Sequence, residues 1–347
     1  MMNKIERYSR QVQYHRIGST GQKKIENSSI VIVGAGALGS VNAELAVRAG
    51  IGKIKIIDFD ILDLSNLQRQ AVYDESDVGK LKVKALTKKL KKINSNLKII
   101  PLAVKLTSEN VNLLKEDVVI DCTDNMNARF LINEYCVKEK ISWVHASAEQ
   151  DIAQLCVFTP NNRCFNCLFE GREKLVNCDT EGVLNSTTHL VASLGFKEVI
   201  KLILGEEPEK DLLRINVWNN NILRISTKKK SSCNVCKGEY KLLENPKIGN
   251  NSSKNKTENK LNEEIKFKVD YCKTKAAISS KLDKPKKLNL NKIKEKYETV
   301  IDTPILLVIK TKEGEVVVHG HGELLFKESK NKEKIKKISK ELYMLSL

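Results

Sequence analysis

No apolar run in the 347-residue chain approaches the roughly 18 to 20 residues that span a bilayer. Its first residues include Asn3, Lys4, Glu6 and Arg7, so a secretory h-region is missing as well. Aromatic residues are only 5% of the sequence, too few for the base-stacking surface that an RNA binder with a net charge of +17 would need. The lysines are scattered, and the same charge would steer an acidic protein partner, so nucleic acid is not expected as a ligand. No internal repeat is evident. A soluble, cytoplasmic protein without a membrane partner is expected. With 41% hydrophobic and 30% charged residues, the chain is long enough for two domains and a substantial core.

Nine cysteines in a chain without an export signal argue against a disulfide framework. Four form two C-x-x-C pairs, Cys164/Cys167 and Cys233/Cys236. Two thiolate pairs with a two-residue gap can each chelate one side of a tetrahedral Zn²⁺ ion. The pairs are farther apart than in a zinc finger, so intervening elements must bring them together. The alternative is two independent redox or core pairs. A fully thiolate-ligated ion has no open position, which makes the expected metal structural. Cys122, Cys136, Cys156, Cys178 and Cys272 are isolated, the usual setting of a small core hydrophobe.

Ser29 to Val33 is a β-branched run ending in Gly34-Ala35-Gly36-Ala37-Leu38-Gly39. A helical stretch follows to Ala49, glycines break it, and Lys53 to Asp58 reads as the next strand. Further on, Lys80–Ile93, Asn127–Lys138 and Leu190–Leu204 read as helices. Leu97–Leu102, Val118–Asp121, Ile141–Ala146, Ile152–Phe158, Leu212–Val217 and Ile222–Ser226 read as strands. This alternation predicts an α/β fold with a doubly wound, mostly parallel sheet: a Rossmann-like nucleotide-binding half, then a four-cysteine zinc region. Asn245 to Asn262 is polar and reads as a linker. The expected boundaries are 1–242, a linker over 243–263, and a small C-terminal α+β domain over 264–347. In that domain Lys312-Glu313-Gly314 marks a hairpin and Lys332–Tyr343 a closing helix.

A phosphate held by backbone N–H groups at a helix N-terminus needs residues without obstructing side chains, which Gly34, Gly36 and Gly39 provide. Asp58 ends the next strand, placed to accept hydrogen bonds from a ribose. Alone, this motif fits NAD and ATP equally. The following segment favours a triphosphate: Asp58-Phe59-Asp60, Leu64-Ser65-Asn66-Leu67-Gln68-Arg69-Gln70, then Val78-Gly79-Lys80-Leu81-Lys82. Arg69 and Lys82 could neutralise charge on a leaving pyrophosphate. Asp124, in Asp121-Cys122-Thr123-Asp124-Asn125, could hold Mg²⁺ or cap the next helix.

These motifs, in this order over Arg7 to Cys236, resemble the MoeB/ThiF/HesA family, whose fold unit also adenylates substrates in ubiquitin-activating enzymes. The resemblance implies ATP-dependent adenylation of the C-terminal glycine carboxylate of a ubiquitin-like sulfur carrier of the ThiS or MoaD kind, with pyrophosphate released. It implies Asp58 on the ribose, with Asp60 beside it. Ser65, Asn66, Arg69 and Lys82 would lie around the triphosphate, and Asp124 and Asn125 at Mg²⁺ and the α-phosphate. Arg10, in Arg7-Tyr8-Ser9-Arg10-Gln11, matches an arginine sent into a partner subunit's ATP site, which implies a homodimer. The four paired cysteines match a zinc site. Cys178 matches a crossover-loop cysteine that attacks the acyl-adenylate in some members, against the alternative of an unreactive loop thiol. Ala37 stands where many relatives have glycine, so a slightly tighter loop with ATP binding retained is expected.

Three other readings stay open from sequence: adenylation of a small molecule or tRNA base, a nicotinamide-dependent dehydrogenase, and a non-catalytic scaffold. His189 is expected to cap or pack. His319 and His321, two apart on a predicted strand, are expected at the surface. The C-terminal region shows no rhodanese-like cysteine loop, and a sulfur donor, the carrier or nothing could dock there.

Overall fold

Three short helices, α1 (Lys4–Arg7), α2 (Ser9–Gln13) and α3 (Gly18–Asn27), precede the β-branched run, which forms β1 (Ser29–Val33) in this computed structural model. The structure describes residues 4–160, 162–170, 182–244, 266–272, 277–283, 286–326, 329 and 331–347. It divides into two compact units, Met1–Ser252 and Ser253–Leu347.

After β1 the first unit continues through α4 (Ala37–Ala49), β2 (Lys53–Ile57), α5 (Lys82–Ile93), β3 (Lys98–Leu102) and β4 (Val118–Asp121). Next come α6 (Met126–Glu139), β5 (Ser142–Glu149), β6 (Ile152–Phe158), α7 (Phe165–Phe169), α8 (Asn185–Leu204), β7 (Leu212–Asn216), β8 (Asn221–Ile225) and α9 (Lys241–Glu244). They build an eight-stranded sheet in the order β3-β2-β1-β4-β5-β6-β7-β8. The first five strands pair in parallel and the last three antiparallel. The chain winds outward from β1 to β3, then returns to place β4 on the other side of β1. The order reverses there, and a crevice opens at the carboxyl ends of the two strands.

Local sequence explains the elements. α5 buries Val83, Leu86 and Leu90, spaced as one helical face, and leaves Lys84 and Lys88 exposed, while Lys82 at its start is buried. α4 stops at Gly50, whose φ of +89° favours glycine and whose absent Cβ would meet the Tyr8 ring at 2.5 Å. α8 begins at Asn185, more than a turn before the predicted start. Its first turn is polar in sequence, yet Thr187 and Thr188 are buried, and the Thr188 hydroxyl donates to the Asn185 carbonyl at 2.7 Å. Among the described residues no helix is long and apolar enough to cross a membrane.

The second unit is an antiparallel sheet of β9 (Phe267–Cys272), β10 (Ala277–Leu282), β11 (Thr299–Asp302), β12 (Leu306–Thr311), β13 (Gly314–His319) and β14 (Glu323–Phe326), with α10 (Leu290–Lys296) and α11 (Lys332–Ser346). Its order is β11-β12-β13-β14-β10-β9. The predicted hairpin joins β12 to β13, with Gly314 at φ +92°. Leu307, Ile309, Val316, Val318 and Leu324 form a core with Ile335, Leu342 and Tyr343 of α11. The Tyr343 hydroxyl donates to the Ser280 carbonyl at 2.7 Å, pinning the helix to the sheet. One expectation is corrected here. His319 is only 2% exposed, because β13 ends on it within the core of the sheet. His321 lies in the following turn, with its Nε2 3.5 Å from Glu323 Oε2 and its ring 5.1 Å from that of His319.

Candidate active site and metal centre

The loop after β1 is built without room for side chains. Gly34 has φ +97°, and a Cβ on it would lie 2.6 Å from the Cys122 carbonyl oxygen of the turn after β4. A Cβ on Gly39, in the first turn of α4, would lie 1.8 Å from the Gly34 carbonyl. Gly36 differs: its Cβ would meet only Gln70 Nε2, at 3.7 Å. The N-terminus of α4 therefore presents backbone beside open space, where its partial positive charge favours an anion. Ala37 is the first residue of α4.

Asp58, half-buried after β2, ties this loop to the next. Its Oδ2 accepts from Ala35 N at 2.7 Å and its Oδ1 from Asp60 N at 2.7 Å. Burial raises the Asp58 carboxyl above its ordinary value, and the Lys82 ammonium opposes that rise. Lys82 opens α5 and is 8% exposed, with its Nζ 3.7 Å from Asp60 Oδ2. Arg69 is half-buried and donates from Nη1 to the Ser65 carbonyl at 3.1 Å. Ser65 is exposed, while Asn66 Oδ1 accepts from Asp63 N at 3.2 Å within a one-turn helix. Lys82 is tied to the glycine loop by a residue that motif reading passed over. The Tyr73 hydroxyl, buried, donates to the Ala35 carbonyl at 2.7 Å and lies 3.4 Å from that of Lys82. Gln70, 3% exposed beside Gly36, was also missed; its Oε1 has no hydrogen-bond partner among the described residues.

The turn after β4 completes the crevice. Asn125, not Asp124, caps α6, accepting from Asn127 N at 2.9 Å and Ala128 N at 3.2 Å. That leaves Asp124 exposed and unpaired among the described residues, a hard oxygen donor suited to a hard cation. Asp121 is fully buried beneath the turn, bound to His145. Burial alone would raise its carboxyl, but the His145 hydrogen bond and the Arg129 guanidinium hold it below the ordinary carboxylate value.

Arg10 lies elsewhere. The Gln11 side chain beside it donates to the Ala49 carbonyl at 3.0 Å, at the far end of α4 from the glycine loop. A 13-residue helix is about 20 Å long, so the length of α4 separates the Arg10 segment from the glycine loop of its own chain. Cys178 lies outside the described residues. The described chain resumes at Gly182, and the next residue's carbonyl, that of Val183, accepts from Gln68 Nε2 at 3.2 Å, beside Arg69. His189 packs locally, its Nδ1 2.9 Å from the Asn185 carbonyl. Cys136 and Cys156 are core thiols, and burial pushes Cys156 up to about 12 despite the Arg163 guanidinium 3.1 Å away.

The paired cysteines, 69 residues apart, converge. Their sulfurs lie 3.8 Å apart for Cys164–Cys167, 3.6 Å for Cys164–Cys233 and for Cys167–Cys236, and 3.4 Å for Cys164–Cys236. All four fall within 4.8 Å of one another. Four sulfurs 2.3 Å from a central zinc would be about 3.8 Å apart, so the donor set fits a tetrahedral thiolate site. Cys164, Cys167 and Cys233 are 2% exposed, and burial pushes the Cys164 thiol up. A cation would offset that penalty on the thiolates.

The ThiF family model matches residues 8–235, two thirds of the chain. The chain belongs to the ThiF family. This ThiF-family chain is 36% identical over 238 residues to the sulfur carrier protein ThiS adenylyltransferase of Bacillus subtilis, covering 66% of this chain and 71% of that one. The Escherichia coli enzyme of the same name is 34% identical, covering 67% and 95%. The adenylyltransferase and sulfurtransferase MOCS3 of Aedes aegypti is 38% identical over 243 residues, which is 67% of this chain. The chain spans about half the length of the MOCS3 relatives it matches. Among solved structures, E. coli MccB with ATP is similar at a TM-score of 0.60 and 27% identity, covering 66% of this chain and 74% of that one. Residues beyond 235, including the whole C-terminal unit, lie outside the family match.

Proposed function

We propose that this ThiF-family protein uses ATP to adenylate the C-terminal carboxylate of a ubiquitin-like sulfur carrier. The observation that carries the reading is the bare backbone at Gly34–Gly39, facing the crevice between β1 and β4, with Asp58 bonded to it and Lys82 joined to it through Tyr73. The printed activities of the ThiS adenylyltransferase relatives support the substrate class.

In this reading the ribose hydroxyls bind at Asp58, whose two oxygens already organise the loop. The phosphates lie over Gly36 and the start of α4. The carrier's glycine carboxylate, ionised at neutral pH, needs no general base. One of its oxygens attacks the α-phosphorus. As that bond forms, the bond from the α-phosphorus to the bridging oxygen breaks, and the electron pair leaves on pyrophosphate. Lys82 and Arg69 receive the charge that builds on the leaving group. Asp124 would hold Mg²⁺, which when bound neutralises phosphate charge. Arg10 serves the site of a second copy, since the length of α4 separates it from its own. Cys178, five residues before Val183, is the candidate thiol for a later covalent step. A sulfur donor is a further proposed partner, and the four-cysteine centre holds zinc in a structural role.

The test is ATP–pyrophosphate exchange with a purified ThiS-type carrier ending in glycine. Exchange should require the carrier and should fall below detection in Arg69→Ala and Asp124→Ala. Undiminished exchange in both variants would overturn the site. Exchange that ignores the carrier but responds to tRNA would overturn the substrate class.

A further inference from the structure

Directly behind the Asp124 turn, three ionisable side chains lie buried together. Asp121, His145 and Arg129 are 0%, 2% and 2% exposed. β4 and β5 pair in parallel with Asp121 and His145 in register, which brings His145 Nδ1 to 2.7 Å from Asp121 Oδ2. Asp121 Oδ1 accepts from the Thr123 backbone N–H at 3.0 Å and from its hydroxyl at 2.7 Å. Arg129 Nη2 donates to the Thr123 carbonyl at 2.6 Å. The cluster thus grips the residue immediately before Asp124. Burying the Asp121 and Arg129 charges carries a desolvation cost that their ion pair at 3.6 Å and their hydrogen bonds must offset.

The His145 ring also packs on α7, against Phe165 at 5.3 Å and Phe169 at 6.1 Å between centroids. Cys164 caps that helix and Cys167 lies within it. A second connection runs through α6, which starts at the Asn125 cap. Its Asn133 accepts from Phe165 N at 2.8 Å and donates to Asn166 Oδ1 at 2.8 Å. The next residue, Glu134, accepts from Leu242 N at 2.8 Å and Leu243 N at 3.1 Å, just beyond the second cysteine pair. Both cysteine pairs are therefore tied to the strand end and the helix that carry the turn.

We propose that the four-cysteine centre, with zinc bound, braces the Asp124 turn through His145 and α6, so that the turn keeps its shape only while the metal is held. His145 is a positioning residue in this arrangement. What the turn does for a nucleotide rests on the function proposed above; the bracing does not.

Amide hydrogen exchange on the full-length protein tests it, before and after zinc is removed with a chelator. The Thr123, Asn127 and Ala128 amides, all bonded within the turn and cap, should exchange about tenfold faster without zinc, while the Ala35 amide, bonded to Asp58, keeps its rate. If chelation unfolds the whole unit, two zinc-loaded variants decide. His145→Phe keeps a ring against α7 but loses the donor, and should speed the same amides about tenfold and raise KM for ATP more than it lowers kcat. His145→Asn restores a donor near Nδ1 and should return the amides towards wild type. Unchanged rates at Thr123, Asn127 and Ala128 in zinc-loaded His145→Phe would overturn the proposal. So would their persistence after chelation has opened Cys164 to Phe169. Zinc-dependent protection of the turn in a protein with no affinity for ATP would support the bracing and refute the nucleotide reading.

Discussion

Gly39→Ala sets two well-measured effects against each other, and the structure decides between them. In an ordinary helix position alanine is favoured over glycine by about 1 kcal/mol. Here the new Cβ would stand 1.8 Å from the Gly34 carbonyl oxygen and 2.8 Å from its carbon, where contacts below 3.0 Å essentially never occur. Either the start of α4 or the Gly34 turn must move by more than an ångström. Gly34 cannot yield easily: it sits at φ +97° with the Cys122 carbonyl 2.6 Å from where its own Cβ would be. Pushing it towards β4 drives backbone into backbone. Overpacking of this kind costs about 1–3 kcal/mol, and with backbone on both sides the upper end applies, for a net loss of about 2 kcal/mol. We expect a lower urea midpoint with an unchanged m-value, and affinity for ATP with magnesium reduced about tenfold or more.

Gly36→Ala is the control, because its Cβ would meet only Gln70 Nε2 at 3.7 Å. Alanine at that cap costs about 1 kcal/mol at most. It would nevertheless occupy space assigned to a phosphate, so affinity should fall as far as in Gly39→Ala with a smaller loss of stability. Equilibrium urea unfolding and calorimetric titration with ATP and magnesium read the two quantities separately. A Gly39→Ala protein as stable as wild type would refute the packing argument. Normal ATP affinity in Gly36→Ala would move the phosphates away from α4.

Tyr73→Phe removes the hydroxyl that joins the Ala35 and Lys82 carbonyls, and should cost about 1 kcal/mol in urea unfolding while raising KM for ATP more than it lowers kcat. If Arg10 acts across a dimer, Arg10→Ala and Arg69→Ala proteins should each be inactive alone, yet regain about a quarter of wild-type exchange activity when co-refolded in equal amounts, since half the dimers are mixed and each mixed dimer has one intact site. No recovery would place Arg10 outside the reaction. Burial holds His145 below its ordinary 6.5 and, opposed by burial but favoured by His145 and Arg129, Asp121 sits below 3.8. The unfolded chain therefore takes up the His145 proton first, so stability is complete above about pH 6.5 and declines as the pH falls below it, and Asp121 adds a second loss below about pH 4. His145→Phe should flatten the first decline in urea midpoint and also weaken the second, because it removes the hydrogen bond that does most to lower Asp121; a profile parallel to wild type would refute the assignment.

β1 and β4 were legible to the residue because each is a buried parallel strand, a short β-branched run with turn residues at its end. The cysteine pairs were legible because each C-x-x-C is a chelating unit in itself, whatever the chain between them does. What sequence could not supply was register. His145 is 24 residues from Asp121, and only the parallel pairing of β4 with β5 sets them side by side. Tyr73 had no motif to mark it; its one signal was a lone aromatic among polar residues that turned out to be 6% exposed. The choice between Asp124 and Asn125 as helix cap turned on a single residue of phase, finer than composition resolves. His319 looked like a surface residue because alternation along β13 does not hold, its last four residues being buried on both faces.

The packing around the cysteines bears on what the proposed zinc would contribute. Among the described residues, the buried hydrophobic cluster there holds Val235 besides the cysteines, with Val137 and Tyr240 partly covered. The segment around Cys164 and Cys167 is anchored in the main core by Phe165 and Phe169, whereas the segment around Cys233 and Cys236 buries Val235, at about 1.5–3 kcal/mol, against about 1–2 kcal/mol of backbone entropy for each residue ordered. A structural zinc at a four-thiolate site contributes on the order of 10 kcal/mol, enough to change that balance. The crossover that carries Cys178 leaves the described structure after α7 and returns at Gly182, whose carbonyl accepts from Gln150 N at 3.1 Å, next to the Gln68–Val183 bond. It departs from the cysteine-bearing α7 and returns beside the loop that carries Arg69. With zinc bound as proposed, a protein stripped of it should lose order at the α7 end while the Gln68–Val183 bond persists, so the metal would shape the site as well as the fold.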